Sequence, residues 1–228
     1  VYQNMAGCYI ALNQLAEAVR WYEAALLIYQ QNKNEKPASQ GDIWHNLGSC
    51  YLTMGDMEYA LFCNEQALSW RKIAFTNDNH PKVLVSLRGL ALVYQRMGDE
   101  KRAAEYFDLV LELRRRSLKP GNRDLSNSIT DASVAARQGG YLKRAEQLAR
   151  EVIGIEQGAP VPDSLRIARV LGNYGTFLYE TGQPDSALVL HRQALDFYPR
   201  TKESESGRAN CYTNIGACYL LKNDLARA

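Results

Sequence analysis

The chain has no apolar run approaching the roughly 20 residues that a membrane-spanning helix needs. Its opening stretch, VYQNMAGCYI, lacks the basic and apolar regions of a signal peptide. A soluble, cytoplasmic chain with no membrane partner is expected. Net charge is also nearly absent, with 27 Lys and Arg against 25 Asp and Glu. Without a broad basic field, nucleic acid is not expected as a partner. Proline is scarce, at seven of 228 residues, and 46% of residues are hydrophobic; this composition favours helices in a packed fold over disorder.

Metal and catalytic signatures are missing too. Five cysteines, an odd number, include no C-x-x-C pair. No paired His spacing reads as zinc, so Cys8, Cys50 and Cys218 are expected to be buried, reduced thiols. There is no G-x-x-x-x-G-K-[ST], G-x-S-x-G or H-E-x-x-H, and His45, His80 and His191 fall far apart. The chain is expected to be no enzyme, with no catalytic residue, metal or cofactor.

What is present is a repeat. Ala18, Ala60, Ala103, Ala145, Ala187 and Ala228 recur at intervals of 41 to 43 residues. Twelve residues before each lies a small residue: Ala6, Gly48, Ala91, Ser133, Gly175 or Gly216. Small residues at fixed spacing are what two closely approaching helices need. Helix breakers separate the two stripes: Asn13, Gly55-Asp56, Gly98-Asp99, Gly139-Gly140, Gly182-Gln183-Pro184 and Asn223-Asp224. Gly suits a left-handed helix stop and Asp the next N-cap. The spacing predicts twelve helices in six pairs, the last cut short. The units are 1–40, 41–83, 84–125, 126–167, 168–208 and 209–228. Polar connections are expected at 31–41, 76–81, 117–124, 157–163 and 200–207.

Trp44, Leu47, Gly48 and Tyr51, followed by Ala60 and Ala67, nearly complete the pattern W-x2-L-G-x2-Y…A…A of the tetratricopeptide repeat. The chain resembles that family along essentially its whole length. Its long period is similar to the repeats of kinesin light chains. The resemblance implies an all-α fold, an α-solenoid wound as a right-handed superhelix. Departures are clear. The aromatic four after the repeat alanine is Tyr22 or Phe107, but Asn64, Ala149 and His191 elsewhere, and the closing Pro appears only as Pro199. The fourth unit, with Ala136 and Ala149, is expected to pack more loosely. Arg71-Lys72 and Arg114-Arg115 are read as cations offsetting helix C-terminal dipoles. Neither end reads as a polar cap, so a segment of a longer array is expected, and self-association through uncapped ends stays open.

The resemblance also implies that first helices line a concave groove. Two before each small residue lie Asn4, Asn46, Gly89, Asp131, Asn173 and Asn214. A carboxamide offers a donor and an acceptor to an extended backbone, and in related scaffolds this position forms an asparagine ladder. Packing is the competing reading. His45, Arg88, Arg96, Arg137 and Arg169 add a basic bias opposed by Asp131 and Glu180, which points to acidic peptide segments if these arginines are not already paired. The expected function is a protein–protein interaction scaffold or adaptor that binds protein or peptide partners in its groove. The alternative is a sensing or autoinhibitory array of a larger multidomain enzyme or signalling protein.

Overall fold

The structure, a computed structural model, describes residues 1–31, 36–119, 121–159 and 162–222. It is all-α, an α-solenoid built from antiparallel helix pairs, with no strand among the described residues. The chain divides at residue 117 into two compact units. The first holds α1 (Tyr2–Ala11), α2 (Leu15–Gln31), α3 (Pro37–Met54), α4 (Met57–Ala74), α5 (Pro81–Met97) and α6 (Glu100–Ser117). The second holds α7 (Arg123–Gln138), α8 (Leu142–Gln157), α9 (Ser164–Glu180), α10 (Pro184–Phe197), a short 3-10 turn at Lys202–Ser204 and α11 (Glu205–Leu221). The expected twelfth helix, with Asn223, Asp224 and Ala228, lies outside the described residues.

The turns sit where the breakers predict them. Gly55 and Gly98 stop α3 and α5 with φ of +88° and +78°, a conformation that a Cβ disfavours. The following aspartates then cap the next helices. Asp56 accepts from the Tyr59 amide at 3.2 Å, and Asp99 from the Arg102 amide at 3.0 Å. Within each pair the small residues let the backbones close: Ala6, Ala18, Ala60, Ala91, Ala103 and Ala187 have no exposed surface. Around them Ile43, Leu47, Leu90, Leu148 and Leu171 are almost fully enclosed, each stabilising by about 1.5–3 kcal/mol. A cavity of about 20 Å³ lies beside Ala149. The missing aromatic is thus not fully replaced by its neighbours.

Three expectations need correction. The connections at 31–41 and 200–207 are shorter than expected, because α3 starts at Pro37 and α11 at Glu205. Pro37 occupies the first helical turn, where its fixed φ fits. Gly41 is a close approach inside a helix, since a Cβ there would lie 2.7 Å from Arg71 Cγ. Cys8 is exposed, whereas Cys50 and Cys218 are buried. The face of α3 bearing Cys50 packs with Tyr22, Ala25 and Leu26 of α2.

Arg71 stands in the last turn of α4, as expected, but is also buried. It is 3% exposed. One guanidinium nitrogen donates to the Lys82 carbonyl at 2.9 Å and to Ser86 Oγ at 2.8 Å, and the other to Asp42 Oδ1 at 3.0 Å. Lys82 closes on the same carboxylate at 2.5 Å. Burial lowers the Arg71 pKa while Asp42 opposes that shift, and the fork stays charged because its partners are fixed around it. Arg71 therefore ties α3, α4 and α5 together. In the second unit the same register holds Glu156, 5% exposed, paired with Arg166 at 2.5 Å. Replacing Arg71 by Ala is expected to cost about 3 kcal/mol, since Ser86 and the Lys82 carbonyl lose their donor. Lys72→Ala, at an exposed position, should stay within about 0.5 kcal/mol of wild type. Urea unfolding of the two variants checks the contrast.

Candidate functional site

In the first unit α1 carries Asn4, α3 carries His45 and Asn46, and α5 carries Arg88 and Arg96. Asn4 and Arg96 are exposed; His45, Asn46 and Arg88 are partly buried. Asn46 is hydrogen-bonded to the buried phenol of Tyr22, the aromatic four after the preceding repeat alanine. Arg88 is already engaged within the fold.

The ladder position of α5 is Gly89, and its missing side chain has a structural cause. Asn64, buried at 3% exposure, donates to the Ala60 carbonyl at 2.8 Å. Its amide is wedged between two glycines. A Cβ on Gly48 would lie 2.5 Å from Asn64 Nδ2, and one on Gly89 only 2.2 Å from Asn64 Oδ1. The carboxamide absent from position 89 is thus supplied from position 64, across the helix layer. His45 contacts the same Asn64 side chain. Burial drives its pKa down to about 4, with the Arg71 cation adding to the shift and Asp42 and Asn64 opposing it. His45 is therefore neutral near pH 7, with Nδ1 buried and unpartnered.

In the second unit α7 carries Asp131 and Arg137, α9 carries Arg169, Asn173 and Glu180, and α11 carries Asn214. Arg137 pairs with Glu180 at 2.6 Å, so these two opposed charges neutralise each other. Asp131 is also engaged. Arg169, Asn173 and Asn214 come together on one polar pocket of about 470 Å³ between α9 and α11, with Thr176, Asn210 and Glu203. Asn214 Nδ2 donates to Thr176 Oγ1 at 3.2 Å. The wall of this pocket also includes His191 of α10, which has no exposed surface. Sequence reasoning passed over His191 and Asn64 as weak matches to an aromatic. The signal was there: a polar residue at a buried register needs something to bond.

Little here suits bond-making chemistry. Burial raises the thiol pKa of Cys50, Cys211 and Cys218, and that of Cys63 to about 12, so these four stay protonated and poorly nucleophilic. Among the described residues no three His, Cys, Asp or Glu side chains are placed to hold a metal ion. No described helix is long and apolar enough to cross a membrane.

Tetratricopeptide repeat patterns match residues 1–73, 39–116 and 166–228, more than half of the sequence. The chain belongs to the tetratricopeptide repeat family. The unmatched stretch contains Ala136 and Ala149, where the repeat has lost its aromatics. Tetratricopeptide folds are generally non-catalytic interaction scaffolds. A putative kinesin light chain from Podosopora anserina with nearly identical TPR-like repeats superimposes with a TM-score of 0.76 at 20% identity, covering 91% of this chain and 95% of that one. YrrB, described as a TPR protein with an unusual peptide-binding site, gives 0.58 at 17% identity, over 93% and 90% of the two chains. These likenesses establish the fold. A curated relative, the general transcriptional corepressor trfA of Dictyostelium discoideum, is 26% identical over 110 residues; the match takes in 48% of this chain and only 7% of trfA.

The exchange between positions 64 and 89 makes a coupled prediction. Gly89→Asn alone is expected to destabilise the repeat by about 1–3 kcal/mol through overpacking. Gly89→Asn with Asn64→Ala should recover most of that loss, giving a coupling of about 1–2 kcal/mol in a double-mutant cycle. Additive losses would mean that the two side chains do not share one space.

His45 makes a second. Its folded pKa near 4 lies below the usual value of 6.5, so its contribution is fully present above about pH 6.5. It is lost as pH falls toward 4, because only the unfolded chain binds the proton in that window. The loss is of order 2–3 kcal/mol. Stability measured by urea unfolding across this window should flatten in His45→Gln.

Proposed function

We propose that this protein is a non-enzymatic interaction scaffold that binds extended peptide segments of partner proteins against the faces of its first helices. The observation that carries this reading is the convergence of Arg169, Asn173 and Asn214 on one polar pocket between successive first helices. Carboxamides there can pair with the N–H and C=O of an extended chain without reading its sequence. YrrB, the tetratricopeptide protein described as having a peptide-binding site, supports the same use of the fold.

Acidic residues in the peptide would be met by the exposed Arg96 in the first unit and the exposed Arg169 in the second. Arg137 is committed to Glu180 and Arg88 is engaged internally, so the acid preference should be modest. Asn4 and Asn46 extend the carboxamide set in the first unit, Asn46 with part of its capacity already given to Tyr22. The buried, protonated thiols fit a reducing compartment, and we assign the protein to the cytoplasm.

An array of short peptides graded in acidity, read at low and high salt, tests the proposal. Capture should fall with salt, and Asn173→Ala with Asn214→Ala should weaken it about thirtyfold for all sequences, given roughly 1 kcal/mol per hydrogen bond and one bond lost at each residue. Arg169→Glu should weaken the preference for acidic peptides, and Arg96→Glu with it should remove that preference. Absence of capture at either salt overturns the reading.

A further inference from the structure

A second cleft lies on the first unit, away from the helix face that carries the ladder position. It encloses about 400 Å³ among α2, α3 and α4, and its wall is made by Tyr29, Gln30, Gln40, Trp44, Gln66 and Trp70 beside the buried Leu26. Helix geometry sets this placement. Trp44 stands two residues before Asn46 on α3, a step of about 200° around the axis, so the two side chains leave opposite faces. Gln40 and Trp44 are four residues apart, as are Gln66 and Trp70, and each pair shares one face of its helix. The last turn of α2 adds Tyr29 and Gln30.

Stacking of the hairpins does not call for tryptophan here. The Trp70 register, ten residues after the repeat alanine, holds Ile28, Leu113, Ile155 and Phe197 in the other repeats. The second unit keeps the carboxamides without the indoles. Gln157 and Gln193 occupy the registers of Gln30 and Gln66 and line a pocket of about 590 Å³, where Leu171 takes the place of Trp44. In the first unit the three rings are partly buried. Trp44 is held by an edge-on contact with Phe62, with ring centroids 5.6 Å apart.

This lining selects a kind of ligand. None of the described residues on the wall is charged, so a charged group would lose its hydration there without a counter-ion. The indole N–H groups can only donate. The occupant must therefore bring acceptors together with apolar surface that lies against flat rings. Proline meets both conditions, having a carbonyl but no backbone N–H. In polyproline II the chain makes no internal hydrogen bonds, which leaves its carbonyls open, and aromatic-lined clefts suit its pyrrolidine rings.

We propose that this cleft binds a proline-rich segment of a partner protein in the polyproline II conformation, with pyrrolidine rings against Trp44 and Trp70 and chain carbonyls accepting from the indole and carboxamide N–H groups. It is a docking surface distinct from the groove of the first helices and does not depend on that groove being used.

The probes are two neutral peptides about ten residues long, one rich in proline and one with alanine at each proline position, titrated into the intact chain. The proline peptide should bind about tenfold more tightly, because the alanine chain must be ordered on binding and offers no rings. Trp70→Leu, which brings in the residue type of Leu113, should keep the fold and weaken binding of the proline peptide about fivefold or more. Nitrogen–proton NMR of the wild-type chain gives a readout independent of folding in the variant. The indole signals of Trp44 and Trp70 should shift with the proline peptide, while that of Trp21, which packs against Tyr2 and Tyr9, should stay in place. Equal affinity for the two peptides, binding of neither, a shift at Trp21 alone, or undiminished binding by Trp70→Leu overturns the proposal. So does a tetramethylammonium probe that moves both indole signals when the proline peptide moves neither, which would assign the cleft to a methylated ammonium group instead.

Discussion

The stacking of one hairpin on the next depends on what stands four residues after the repeat alanine. That side chain leaves the second helix and meets the first helix of its own hairpin and of the following one. It must be accommodated by a residue small enough, or polar enough, to share the space. Tyr22 meets Asn46 through a hydrogen bond. Asn64 reaches between Gly48 and Gly89, and His191 lies against Gly175. Ala149 leaves a small cavity. Close packing forces these choices to be made in pairs, because an interior at crystal-like density cannot absorb two side chains in one place.

The periodic part of the fold was legible because its cause is local and recurs. A glycine with positive φ, an aspartate cap and a pair of small residues at fixed spacing are each set by backbone sterics, so they reappear wherever the hairpin does. Gly55-Asp56 and Gly98-Asp99 could be read from the sequence alone. Gly41 and Gly89 could not, since nothing adjacent to them explains why they are glycine. The reasons lie 30 residues downstream in Arg71 for Gly41 and 25 residues upstream in Asn64 for Gly89. A single sequence places such pairs in register but does not show that their side chains touch. The same blindness hid that Arg71, besides standing in the last turn of α4, is the buried link among three helices.

That register, eleven residues after the repeat alanine, shows how loosely the family pattern constrains chemistry where it constrains geometry tightly. Arg71, Glu156 and Tyr198 all occupy it and all are buried. Arg71 bonds Asp42, Ser86 and the Lys82 carbonyl; Glu156 takes Arg166; Tyr198 lies over Gly207, where a Cβ would come within 2.5 Å of the phenol oxygen. A bridging side chain of about the right length is what the seam needs. Cation, anion and aromatic ring each satisfy it provided that the next hairpin changes to match.

Matching of this kind separates the structural carboxamides from those available to a ligand. Where the repeat supplies both halves of a polar pair, as Asn46 does with Tyr22, the bond energy goes into stacking the hairpins and the first-helix face gains nothing. Where only one half is supplied, the unpaired group lowers stability and raises the affinity for whatever completes it, since a ligand that fills the gap recovers the lost hydrogen bond. His191 is the buried side chain of the second unit left in that condition on both ring nitrogens. Its ring edge lies against Gly175 of α9, out of reach of a ligand. At Asn64 the departure from the repeat pattern, which looks like decay when counted against the consensus, is thus compensated across the helix layer by Gly48 and Gly89.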